Sequence, residues 1–297
     1  MPITAIALLF GSAILHTIWN LILKQAGEKS MASWWAMLMG SLLFLPALLV
    51  LGLPAHSTWG MLGVSAFMGA SFFFVLPIAY TGTDFSLVYP MARGAAPALI
   101  AAWSILFLGE RFTPGGAIGL FTIVAGLTIV GGSGWLAARN STALTTTTGI
   151  SDLRAPSIKG MWPALLMALI ISIYSVIDGT AVKRTDPLPY AALIYFISAI
   201  YMTPYVLVRH TWKALKREFI AYHWRLLLTG ALIVIAYLLA LWAYRLSSVS
   251  YSGAIREVNV VLGAVAGWQF LGEKFGPLRV VGAVVIFAGI LVIAIFG

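Results

Sequence analysis

Seven residues occur twice in this chain. Leu108-Gly109-Glu110-Arg111-Phe112-Thr113-Pro114 returns as Leu271-Gly272-Glu273-Lys274-Phe275-Gly276-Pro277, and both copies lie between long apolar runs. The agreement continues past the motif, with Gly119, Ile123, Ala125 and Gly126 matching Gly282, Ile286, Ala288 and Gly289. Upstream, Arg93 falls on Arg256 at the same offset. Agreement over so long a stretch points to an internal duplication, so the fold has to be two copies of one unit packed together.

The setting of those copies follows from composition. The 297 residues are 61% hydrophobic and 9% charged, with a mean hydropathy of +0.98. A soluble domain carries about 25% charged residues. No soluble fold of this length hides so much apolar surface, so the solvent for most of the chain is lipid. The chain has no cysteine and four histidines, which excludes disulfides and gives no zinc set or other metal site. No Gly-rich phosphate loop or other cofactor signature is present, so no cofactor is expected. The net charge of +9 is spread thinly through joints and does not indicate nucleic acid.

A helical span needs about 20 apolar residues to cross the hydrocarbon. Ten segments qualify: 3–23, 31–53, 60–80, 86–108, 114–132, 160–182, 188–208, 222–246, 249–270 and 277–296. Residues 135–159 are Ser/Thr-rich, include the run Thr145–Thr148, and read as a solvated, flexible linker. The chain thus divides into 1–134, the linker 135–159, and 160–297. Further matches between the halves are Pro46 with Pro204, Lys24 with Lys183, and Ala79-Tyr80 with Ala243-Tyr244. An odd number of spans per copy turns the second copy upside down. The expected fold is all-α integral membrane, ten transmembrane helices as two inverted five-helix repeats.

Loop charge gives an orientation. The face that holds the termini carries Arg111, Lys183, Arg184 and Arg245, and the opposite face carries three times as many basic residues. The positive-inside rule then places both termini outside the cytoplasm. The densest basic group, 209–225, carries Trp212, Leu215 and Phe219 at helical spacing; it reads either as a short amphipathic segment at the interface or as a solvated loop.

The paired Leu-Gly-Glu joints, the five-plus-five duplication, and His16-x-x-Trp19-Asn20 with Lys24 in the first span together resemble the EamA-like branch of the drug/metabolite transporter superfamily. That resemblance implies an inner-membrane carrier that moves small metabolites, amino acids or drugs by alternating access, often as an exporter. It also implies termini in the cytoplasm, and here the charge asymmetry argues the reverse.

A charge within the bilayer costs at least about 2.5–3.5 kcal/mol, so each one needs a reason. Arg93 and Arg256 lie seven residues into the fourth and ninth spans, about 10 Å deep at 1.5 Å per residue, and enter from opposite faces. Each either binds an anionic group with its planar fork of donors or is neutralised within the bundle. Glu257 follows Arg256 on another side of the helix, where it is an ion-pair partner for Arg93 or a proton-coupling carboxylate. His16, with Asn20 one turn on and Trp19 beside it, is a second proton-coupling candidate and a substrate ligand. Asn259 shares the face of Arg256, and Tyr89 that of Arg93. Tyr174, Tyr237 and Trp242 can wall a pocket. Asp178, near the end of the sixth span, suits a helix-end or gate role. Glu110 and Glu273 suit capping of the helix that follows each, with Pro114 and Pro277 in its first turn. Gly115-x-x-x-Gly119 and Gly263-x-x-x-Gly267 suit close packing within a monomer, with a homodimer seam as the alternative.

The residues point to a secondary transporter of a small carboxylate-bearing or zwitterionic metabolite, such as an amino acid. A proton-coupled exporter of lipophilic or quaternary-ammonium cations is the alternative. No catalytic set stands out, so an enzyme is not expected.

Overall fold

The computed structural model describes residues 1–26, 28–80, 85–148, 162–271 and 277–297. Every regular element among them is helical: α1 (Ile3–Lys24), α2 (Lys29–Phe44), α3 (Ala47–Leu51), a 3₁₀ turn (His56–Thr58), α4 (Trp59–Tyr80), α5 (Phe85–Leu108), α6 (Pro114–Thr148), α7 (Trp162–Ala181), α8 (Pro187–Arg209), α9 (Trp212–Leu246), α10 (Val249–Arg256), α11 (Val258–Leu271) and α12 (Pro277–Phe296). Four helical stretches among the described residues are both long and apolar enough to cross a bilayer by themselves: Ile3–Leu23, His56–Val75, Pro187–Arg209 and Trp212–Leu246.

Local chemistry sets the ends. Asp186 caps α8 by accepting from Leu188 N at 2.9 Å, with Pro187 pre-set at the first helical position. Thr211 and Ser248 cap α9 and α10 in the same way. After α5 the chain reverses at Gly109, where φ is +64° and Glu110 N reaches back to Ser104 O at 3.1 Å. That left-handed position carries a steric cost for any residue with a Cβ.

Four boundaries differ from the hydrophobic pattern. The second span is split after Phe44, because Pro46 has no N–H to continue the ladder. The ninth span is split at Glu257, whose N–H bonds Ala254 O while its own carbonyl takes Val260 N, a tighter 3₁₀-type spacing. The basic segment 209–225 is neither a loop nor a separate amphipathic piece. From Trp212 it is the first part of α9, since neither Pro nor Gly interrupts the chain before Gly230. Helix α6 likewise runs on to Thr148, into the stretch that composition marks as a linker. Once nucleated, a helix propagates through good formers such as Leu136, Ala137, Ala138 and Arg139.

The two halves pack reciprocally. Equivalent helices α6 and α12 cross antiparallel on glycine: a Cβ on Gly119 would lie 2.8 Å from Gly289 O, and one on Gly289 would lie 2.7 Å from Gly119 O. One turn pair along, Gly126 and Gly282 repeat the arrangement at 2.9 Å in both directions. Gly115 packs on Phe296 of the same chain, whereas Gly263 faces open space. Helices α2 and α8 are also antiparallel, with Ser30 Oγ 3.1 Å from His210 Nε2 at one end and Trp34 Nε1 donating to Ala199 O at 3.1 Å one turn further in. Helix α1 packs on α9 of the other half, and α4 on α7. Ser12 Oγ donates to Ala236 O at 2.6 Å, and Ser198 Oγ donates to Ala66 O at 2.9 Å, one tie in each direction between the halves. The termini meet on one face, where the Met1 amine donates to Gly297 O at 3.2 Å. Outward apolar side chains stay open, among them Leu49, Val50, Phe121 and Val208, as expected where lipid replaces water.

Candidate functional site

The seam between the halves encloses a cavity of about 130 Å³. Helix α1 contributes Ser12, His16, Trp19 and Asn20; α4 contributes Ser65, Phe72 and Phe73. From the second half come Met167 and Tyr174 on α7, Tyr195 and Ser198 on α8, Tyr237 on α9, and Arg256 at the end of α10. Ser65, Tyr237 and Arg256 sit nearer the face of the termini, and Asn20, Phe73 and Met167 nearer the opposite face, as their places along the helices require.

Among the described residues, Arg256 is the cation that lines this cavity. It is buried, and it stands on the last residue of α10, where the helix breaks. Its Nη1 donates to Tyr244 OH at 3.2 Å and its Nη2 to Tyr174 OH at 3.4 Å. Among the described residues it has no ion-pair partner within 4.0 Å. A guanidinium has five N–H donors, and among the described residues two phenols take part of that set. The aromatic lining is continuous: Tyr237 stands edge-on to both Tyr174 (6.3 Å) and Tyr195 (5.7 Å), and His16 edge-on to Trp19 (4.7 Å).

Behind the wall lies Asp178. It occupies the last turn of α7, as its place in the sequence dictates, but it is no helix-end group. Its carboxylate has no exposed surface and takes three hydroxyl donors from three helices: Ser65 of α4 at 2.8 Å, Tyr190 of α8 at 2.8 Å, and Tyr237 of α9. Sequence reasoning missed this centre. The available signal was that Asp178 is the sole aspartate inside an apolar span.

The structure therefore brings His16, Trp19, Asn20, Tyr174, Tyr237 and Arg256 to one cavity. Asn20 Nδ2 donates to His16 O, one turn back on its own helix, at 2.8 Å. Trp242 is elsewhere. It is 40% exposed on the outer side of α9, because five residues beyond Tyr237 turn it about 140° away. Asn259 is buried one turn past Arg256 but does not line the cavity, and neither of its amide atoms has a hydrogen-bond partner among the described residues. Glu257 is fully buried beside the break. Arg93 and Tyr89 lie on α5, and their side chains fall outside the described residues, as do Lys24's side chain and all of Glu273. Glu110 does not cap the helix that follows it. Its carboxylate accepts from Val249 N at 2.7 Å, from Ser250 N at 3.3 Å and from the Ser250 hydroxyl, so it caps α10 of the other half. Thr113 is the side-chain cap of α6, accepting from Gly116 N at 2.9 Å. Among the described residues, no group of three His, Asp or Glu side chains can hold a metal ion.

An all-helical bundle with apolar outer faces and an aromatic-lined cavity carrying a few polar groups between its halves has the architecture of a multi-pass membrane protein. The sequence matches the EamA-like transporter family twice, over residues 3–132 and 158–295, and the chain belongs to that family, within the drug/metabolite transporter superfamily. A solved structure described as "Crystal structure of protein" is similar over 99% of both chains, with a TM-score of 0.73 at 16% identity, a likeness of fold alone. No curated protein matches the chain.

Proposed function

We propose that this transporter carries a small metabolite bearing a carboxylate, either a plain carboxylate or a zwitterion such as an amino acid, by alternating access at the cavity between its halves. The observation behind the reading is Arg256, a buried cation at the cavity wall that donates to two phenols and to no other side chain among the described residues. A charge-assisted, bidentate bond from such a fork selects planar oxyanions. Tyr174, Tyr195, Tyr237, Trp19 and Phe72 pack the apolar part of the cargo, and His16 and Asn20 give it polar contacts. Arg93, Tyr89 and Asn259 join the site in other states of the cycle, and Glu257 or His16 is available to bind a proton.

The layout we propose is ten spans in two inverted five-helix repeats, 1–134 and 160–297. The antiparallel crossing of α6 with α12 and of α2 with α8 supports it. The carrier sits in an inner membrane as a monomer and exports its cargo. The basic joints lie in the cytoplasm and both termini lie outside.

The test is uptake of a panel of amino acids and small carboxylates by proteoliposomes. The best substrate of the unaltered protein falls at least tenfold with Arg256→Gln and partly recovers with Arg256→Lys. Unchanged transport of every member by Arg256→Gln contradicts the assignment. The second reading, export of a lipophilic or quaternary-ammonium cation, draws on the same rings, which can hold a cation by their faces. Arg256 opposes it by like-charge repulsion, and quaternary amines in the panel distinguish the two.

A further inference from the structure

We infer that Asp178 is a proton-binding site of the transport cycle, and that the hydroxyls of Ser65 and Tyr237 connect it to the cavity. The inference rests on the reading of Arg256 as the site for an anionic group.

The geometry differs from that of a structural ion pair. Asp178 has no solvent exposure and no basic side chain within 4.0 Å among the described residues. Oδ1 accepts from Tyr190, and Oδ2 accepts from Ser65 and Tyr237. The groups around it are few. Among the described residues, α4 offers Ser65, α8 offers Tyr190 and Tyr195, and α9 offers Tyr237. Among the described residues, the cation acting on it is Arg256 of α10, through space, and Glu257 lies just beyond that residue. Helix α5 also packs on α7 and carries Arg93, whose side chain is not described.

Two of the three donors line the cavity and the third does not. A proton from cavity water reaches the carboxylate by exchange through Ser65 or Tyr237, with one O–H bond broken and one formed at each hydroxyl. When the proton adds, one carboxyl oxygen becomes a donor and can no longer serve as acceptor to all its partners. A hydroxyl of Ser65 or Tyr237 then turns into the cavity, where Arg256 holds the oxyanion, and donates to it. Proton and anion thus favour one another's binding, and by linkage the effect is equal in both directions. The three donors come from both halves of the chain, so the hydrogen-bond change falls on the seam that has to open.

Infrared difference spectroscopy of the reconstituted protein, stepped from alkaline to acid buffer without added substrate, tests this. A protonated-carboxyl C=O band grows in with acid. It is lost in Asp178→Asn and kept in Glu28→Gln, at the joint before α2. In Tyr237→Phe it persists at a displaced frequency, because one donor is gone. Identical spectra from the unaltered protein and Asp178→Asn, or no titrating carboxyl band, overturn the inference. The test needs no cargo, so its failure leaves the Arg256 reading standing, and a failed Arg256→Gln transport test leaves the spectral result standing.

Discussion

At the scale of single residues, polar groups in this chain carry work that joins the halves. Glu110 supplies three acceptor contacts to the start of α10, and hydrogen bonds to charged groups are worth about 1.5–3 kcal/mol each. Glu110→Ala is therefore expected to lower stability by about 2 kcal/mol or more, read as the midpoint of thermal unfolding in detergent. Glu28 does a similar job on the basic face. Burial pushes its carboxyl up, but the Ser30 hydroxyl and amide and the charges of His210 and Arg209 outweigh it and hold the group below its ordinary value. A depressed value means that the group stabilises the fold above the unfolded carboxyl's pKa and that this contribution disappears as pH falls through the folded one. Hydrogen exchange at the first turn of α2 should then speed up in acid beyond the intrinsic trend, and Glu28→Gln should remove that excess. At this scale the sequence singled out six residues that meet in the cavity, because a polar group inside an apolar span has to face protein. It could not give Trp242's direction or the partner of Glu110, since both depend on which helix lies opposite.

At the scale of elements, small residues decide how close helices come. The α6–α12 crossing places glycine on glycine twice, with backbone oxygens where a side chain would begin. Gly119→Leu is expected to force the pair apart and to cost about 1–3 kcal/mol or more, whereas Gly63→Ala, with nothing within 4 Å, should be neutral or slightly stabilising. Thermal unfolding of the two variants side by side checks the contrast. Helix existence was legible from apolar run length, and the start of α6 from Pro114. The break at Glu257 was not, because neither Pro nor Gly marks it. It arises where Arg256, Glu257 and Asn259 are all buried within one turn. A discontinuous helix at a transporter's centre exposes helix ends to cargo.

At the scale of the molecule, duplication explains why the site lies where it does. Two copies packed together leave one seam, and polar groups from both copies meet there. The seam was legible in the repeated Leu-Gly-Glu motif. Asp178 was not, because a position near a span's end does not reveal that Tyr190 and Tyr237 converge on it. The charge count makes a global prediction of its own. A phosphatase fused to the C-terminus, active only outside the cytoplasm, should be active, and an inactive fusion that is still produced would reverse the orientation.

The central claim is a water-filled cavity at the seam of the two halves. The chain has no cysteine, so a single one can be placed at will. In membrane vesicles, Asn20→Cys on the cavity wall should react with a charged, membrane-impermeant maleimide, and Ile18→Cys, 41% exposed on the lipid-facing side of the same helix, should not. Labelling at Ile18→Cys with protection at Asn20→Cys would contradict the account.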